Sequence, residues 1–218
     1  QTLGDGLRLV LALILPATTG LFALAPYIIG LLFQHGRFTA ADTATIALVL
    51  RVYLIGMPFA AADQMLVFAS YARKDTWRPA LVGFISIIIY SLTALILLRP
   101  LGLLSLMVAD SVKHVVHTMI MLWILRRQLG DLAGNPVLRS AIKSLLAAIL
   151  TGLAAVWVAR LTIGIASGPI ITHLLPVIAG GLAGMLAYTG AVFALNITET
   201  RALPRLLLRR GPTGGGAA

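Results

Sequence analysis

An all-α integral membrane fold with about six transmembrane helices follows from three observations on the sequence. Of 218 residues, 59% are hydrophobic and 11% charged, with a mean hydropathy of +0.98, which leaves too little polar surface to cover a water-soluble domain. Polar breaks divide the chain into six apolar runs, each near the roughly 20 residues that a helix rising 1.5 Å per residue needs to cross a hydrocarbon core about 30 Å thick. The basic residues fall with a strong bias to one side of those runs. The net charge of +10 therefore belongs to a membrane topology, because the cations punctuate apolar segments and do not gather with aromatics as a nucleic-acid surface requires. Cysteine is absent, which excludes disulfides and thiolate metal sites. The first run has no small-residue cleavage site and is too long for a signal peptide.

The first run, about 7 to 33, holds Pro16 and Pro26, and each proline should kink it by deleting a backbone donor. The turn QHGRF closes a hairpin, with Gly36 suited to ending a helix. Thr39, with Asp42 three residues later, has the pattern of a capping box for the second run, about 43 to 72. That run is interrupted at Gly56, Met57 and Pro58 and carries Arg51 a few turns inside. A cation there must snorkel to the outer interface, pair, or face a wet cavity. Gly56, Asp63, Ser70 and Lys74 recur at spacings of seven, seven and four, flanked by Gln64 and Tyr71, although Pro58 should disturb that phase. Asp63 is either buried against another helix, protonated or hydrogen-bonded, or functional.

After a third run, about 79 to 98, the fourth, about 103 to 125, holds the strongest chemical signal, LMVADSVKHVVHTMIMLW at 106 to 123. With Asp110 at zero and about 100° per residue, Lys113 lies at about −60°, His114 at about +40° and His117 at about −20°. Four ionisable groups thus share one face, opposite Val108, Val112, Val115 and Met119. A wet interior face for substrate or ions is one explanation, since an uncompensated ion at mid-bilayer costs at least about 2.5 kcal/mol. A self-neutralising pair of Asp110 and Lys113 at i, i+3, with hydrogen-bonded neutral histidines, is the other. The helical zinc signature needs two histidines four apart with a glutamate between them, so no metal site is expected. The fifth and sixth runs span about 141 to 163 and 174 to 195. In the sixth, AGGLAGMLAYTG sets Gly180 and Gly184 four apart with Ala187 beyond, a face for close helix packing.

Six spans put both termini on one side. Twelve basic residues fall there, namely Arg8; Arg73, Lys74, Arg78; Arg126, Arg127, Arg139, Lys143; and Arg201, Arg205, Arg209, Arg210. Arg37, Arg99 and Arg160 fall on the other, while Arg51 and Lys113 lie within spans. The positive-inside rule makes both termini and the loops around 75 and 132 cytoplasmic, and those around 36, 100 and 167 external. No pairing of nucleophile with base, metal cluster or phosphate loop is present, so an enzyme is not expected.

The order of several segments resembles the C-terminal part of the MurJ (also MviN) lipid II flippases, of the multidrug/oligosaccharidyl-lipid/polysaccharide exporter superfamily. The matching stretches are LPATTGLFALAPYIIGLLFQHGRFTAADT at 15 to 43, LRVYLIGMP at 50 to 58, YARKDTWRP at 71 to 79 and RPLGLLSLMVADS at 99 to 111. The resemblance implies a fourteen-helix transporter of two six-helix lobes facing a central cavity, with two final helices forming an apolar groove for a lipid tail. This chain would supply the last six: residues 1–127 as the last four helices of the second lobe, 128–200 as the groove pair, and 201–218 as a basic cytoplasmic tail. The N-terminal helices of the same protein would be missing partners. Ser70 stands where the family usually has an aromatic residue, and Gln64 where a basic one is frequent.

The function so implied is translocation of lipid II, a polyprenyl-pyrophosphate-linked saccharide of peptidoglycan and cell-wall synthesis, across the bacterial cytoplasmic membrane by alternating access. Arg51, Asp63, Gln64, Asp110, Lys113, His114 and His117 are the cavity-lining or substrate-binding residues expected in this chain. Lys113 and Arg51 suit an anionic pyrophosphate. The carboxylates and histidines suit a coupling cation, and the membrane potential is the other energy source; no cofactor is implied. An exporter of another polyprenyl-linked saccharide or an amphipathic drug is the nearest alternative, and a non-transporting membrane scaffold is an alternative of another class.

Overall fold

A computed structural model of the chain describes residues 2–129, 135–165, 168 and 170–195. The expected tail at 201–218 and the loop centres at 132 and 167 lie outside these residues. Six helices occupy the described chain: α1 (Thr2–Phe33), α2 (Ala40–Ala72), α3 (Trp77–Leu101), α4 (Leu104–Leu129), α5 (Asn135–Leu161) and α6 (Ile171–Ala194). All six are long and apolar enough to cross a membrane.

The helices overrun the apolar runs chiefly at their polar ends. α1 begins at Thr2 and takes in Asp5 and Arg8, an i, i+3 ion pair at 3.6 Å. α5 begins at Asn135 and includes Arg139 and Lys143. Hydropathy marks the hydrocarbon core, whereas helical hydrogen bonding continues into the interface. The capping box forms as expected: Thr39 Oγ1 accepts from the Asp42 amide at 3.3 Å, and Asp42 Oδ2 accepts from the Thr39 amide at 2.8 Å. Gly36 takes φ +64 in the hairpin turn, a conformation that L side chains avoid.

The six helices do not close into a single bundle. They follow one another in space as α3, α4, α2 and α1, and the row ends in a triangle of α1, α5 and α6. Among the described residues α4 touches neither α1 nor α5, and α2 and α3 barely meet. Lipid is as apolar as leucine, so close backbone approach and interhelical hydrogen bonds must hold such a layer. The interior of the triangle is accordingly built largely from small residues: Ala12, Ala147 and Ala191 at one level, Ala23, Ala155 and Ala159 at another. Gly180 lets α6 approach so closely that a Cβ would sit 2.7 Å from the Ala155 carbonyl oxygen, and a Cβ at Gly184 would lie 3.3 Å from Thr151 Cγ2. The glycine face expected on the sixth helix therefore packs on α5. Lys143 Nζ donates to the Leu195 carbonyl at 2.8 Å, closing the C-terminal end of α6.

Candidate functional site

α2 and α4 run side by side, and their seam uses the seven-residue repeat of α2. Gly56 allows the closest approach, since a Cβ there would lie 2.8 Å from Ser111 Cα. Ser111 Oγ donates to the Val52 carbonyl at 3.2 Å, and Thr118 Oγ1 to the Phe59 carbonyl at 2.9 Å. One repeat beyond Gly56, Asp63 Oδ1 meets His117 Nδ1; one further, Ser70 is buried. Pro58 does not break this register, contrary to the expectation above, because the seam spans the proline with contacts on both sides.

The polar face of α4 lies where α2 and α3 diverge. Lys113 Nζ donates to Asp110 Oδ1 at 2.6 Å, and His114 Nε2 stands 3.7 Å from Asp110 Oδ2. The ammonium also lies 5.7 Å from the centre of the Tyr90 ring on α3. The i, i+3 pair, one of the two readings of this face, is therefore formed. It is not sealed: the side chains of Asp110, Lys113 and His114 keep 20–27% of their surface exposed, against 10% for His117. Toward the α4 C-terminus the gap is closed by Leu66, Val82, Met121 and Leu125, one apolar plug from all three helices. On the opposite face of α4, Met119 is exposed.

Of the seven residues expected at the site, five come together: Asp63 with His117, and Asp110 with Lys113 and His114. Gln64, next to Asp63, is exposed on another side of α2. Arg51 is elsewhere, across a different face of α2. Among the described residues it pairs with no acid; its Nε donates to the Phe22 carbonyl of α1 at 3.1 Å, with the guanidinium 5.4 Å from the Phe22 ring. Sequence reasoning missed Tyr90, Ser111, Thr118 and Phe22. Phe22 alone had a local signal, because Pro26 four residues on removes the amide that its carbonyl would otherwise accept from.

A second feature is a groove of about 560 Å³ between α5 and α6, lined by Leu150, Leu153, Trp157, Ala187 and neighbouring small residues. Every lining side chain is apolar apart from the edge of the Trp157 indole, so the groove suits a hydrocarbon chain.

Comparison with known proteins places this architecture. The family model described as Lipid II flippase MurJ matches residues 1–178. The probable lipid II flippase MurJ of Bdellovibrio bacteriovorus is 29% identical over 147 residues, 67% of this chain and 28% of that protein. Those of Rickettsia prowazekii and Thermotoga maritima are each 31% identical, over 55% and 53% of this chain and 22% and 24% of theirs. This chain thus spans about a quarter of the length of such relatives. A solved structure, lipid II flippase MurJ in an inward closed conformation, shares the fold with a TM-score of 0.63 at 22% identity, covering 88% of this chain and 39% of that one. With six membrane-spanning helices on that fold and the family model matched over most of its length, the chain belongs to the MurJ lipid II flippase family.

Proposed function

We propose that this chain is the C-terminal part of a transporter that moves lipid II across the bacterial cytoplasmic membrane by alternating access. The family match over residues 1–178 carries the reading. Residues 1–127 act as the last four helices of the second lobe, and the α5–α6 groove accepts the lipid tail. The α4 face with Asp63 lines the water-accessible side of that lobe, where Lys113 attracts pyrophosphate and the acid–histidine contacts take up a coupling cation. Both termini are cytoplasmic, which the bias of basic residues supports. The partial exposure of Asp110, Lys113 and His114 supports access to water.

One observation favours the scaffold reading for the α4 charges, namely the 2.6 Å contact by which Asp110 and Lys113 neutralise each other. The deciding experiment places the complete gene product in cells depleted of their own lipid II flippase and follows lipid II arrival at the outer leaflet. Rescue by the wild type and at least a tenfold loss in Lys113→Gln is the expected result. Rescue that is indifferent to Lys113 would leave the α4 charges as scaffold, and no rescue by a well-inserted wild type would refute lipid II transport.

A further inference from the structure

Pro16 and Pro26 each orphan one carbonyl of α1, because a proline nitrogen cannot donate to the residue four positions earlier. Each of the two carbonyls is met from another helix. The Tyr188 hydroxyl of α6 donates to Ala12 at 2.5 Å, and Arg51 of α2 donates to Phe22 at 3.1 Å. A neutral hydroxyl is sufficient for this task. A guanidinium exceeds it, since it brings a full charge into the membrane to cap a neutral carbonyl. Among the described residues the Phe22 carbonyl is the one acceptor of Arg51, and no carboxylate lies within ion-pair distance of it.

Arg51 lines a groove of about 270 Å³ whose other wall is Ile149, Leu153 and Val156 of α5. Thr19 and Phe22 join it to a second groove of about 190 Å³, which runs along α1 past Leu54 and Pro58. In that deeper stretch the Thr18 hydroxyl is buried and, among the described residues, has no hydrogen-bond partner. The two grooves form an apolar path along α1 with one unneutralised cation. Depth decides which anion fits. Arg51 lies five residues from the middle of α2 and Phe22 about as far from the middle of α1, so with the helix centres set at mid-membrane both are about 7 Å from it at 1.5 Å per residue. Phosphates of resident lipids sit outside a half-core of about 15 Å. A lipid being carried across must take its phosphate through the depth of Arg51.

We propose that Arg51 and the α1–α2–α5 grooves form a station for the phosphate of a polyprenyl lipid in transit, separate from the α4 cluster. On arrival the phosphate takes the guanidinium from the Phe22 carbonyl, an exchange favoured because an anionic oxygen is the stronger acceptor. Arg51 then ceases to hold the break at Pro26, so occupancy loosens the outer half of α1. This inference rests on the lipid-transport reading and adds the place and the consequence of one step.

The test uses the complete transporter in nanodiscs with a long-chain polyprenyl monophosphate, the matching polyprenol and phosphatidylglycerol. Wild-type protein should bind the phosphate about tenfold more tightly than the alcohol, about 1.4 kcal/mol. Arg51→Gln should bring the two within about twofold, and Arg51→Lys should keep part of the preference through its point charge. Amide exchange just after Pro26 should rise when the polyprenyl phosphate binds the wild type, and not with the polyprenol. Unchanged polyprenol binding certifies that Arg51→Gln is folded. An undiminished phosphate preference in that variant, or no exchange response in the wild type, would overturn the station. An equal response to phosphatidylglycerol would assign the site to resident lipid and overturn the transit claim. Wild-type protein that shows the preference and the exchange response but flips no lipid II supports the station and refutes only the transport reading.

Discussion

Replacing Gly56 by alanine adds one carbon where α2 and α4 come closest. The new Cβ would lie 2.8 Å from Ser111 Cα and 2.9 Å from Ser111 Oγ. The first of these is backbone and cannot rotate away, so the helices must separate by several tenths of an ångström. Overpacking of this kind costs about 1–3 kcal/mol. Separation also strains the Ser111 and Thr118 bonds to α2, and interhelical bonds in membranes average about 0.6 kcal/mol each. Against this, alanine in place of a helical glycine returns about 0.5–1 kcal/mol. The net expectation is a loss of about 1–3 kcal/mol. Gly83 of α3 is the matched control, a mid-helix glycine whose Cβ would meet nothing within 4 Å; Gly83→Ala should be neutral or more stable by up to about 1 kcal/mol. Unfolding of the complete protein in mixed micelles by increasing denaturing detergent measures both. Gly56→Ala as stable as Gly83→Ala would refute the close α2–α4 approach and the siting of Asp63 against His117 with it.

Two further outcomes follow from the same contacts. Exchanging Asp110 and Lys113 should preserve the i, i+3 pair and its stability within about 1 kcal/mol, yet lower lipid II transport at least tenfold, because the cation then leaves its position beside Tyr90; transport close to wild type in folded protein would mark the pair as scaffold. Single cysteines in this cysteine-free chain should react with an impermeant thiol reagent in intact cells at residue 36 but not at residue 75, and the reverse pattern would invert the proposed topology.

The spans were legible because hydropathy and length alone define them, and the Thr39–Asp42 cap because its two bonds are local. The polar face of α4 was legible for the same reason, its residues sharing a helix face at 100° per residue. Asp63 was read as a residue needing a partner, but not as the partner of His117, since 54 positions separate them in sequence and no local pattern fixes which helix lies beside α2. The sequence leaves Arg51 to snorkel, pair or face a wet cavity, and only the resemblance adds it to the cavity residues. Its actual direction follows from Pro26, whose missing amide leaves a carbonyl in α1 at the same depth. Pairing each membrane proline with the orphaned carbonyl four residues before it would have asked for donors to both Ala12 and Phe22, without naming Tyr188 or Arg51.

Charge counting sets these two places apart more sharply than distance does. Around α4 two carboxylates, Asp63 and Asp110, face one ammonium, Lys113, and two imidazoles. A single proton on an imidazole or a carboxyl brings that group to zero. The cluster therefore holds acids and bases that can offset one another within the membrane. Arg51 has no such company, since among the described residues its hydrogen bond goes to an uncharged carbonyl. A self-balancing cluster suits a group that exchanges small cations with water, whereas a fixed positive charge in an apolar groove suits a visiting anion. Under the transport proposed above, the two sites would divide the work of moving a charged lipid between them. Substitutions at the α4 cluster should change how transport depends on pH or cations, and substitutions at Arg51 should change how strongly it depends on the phosphate.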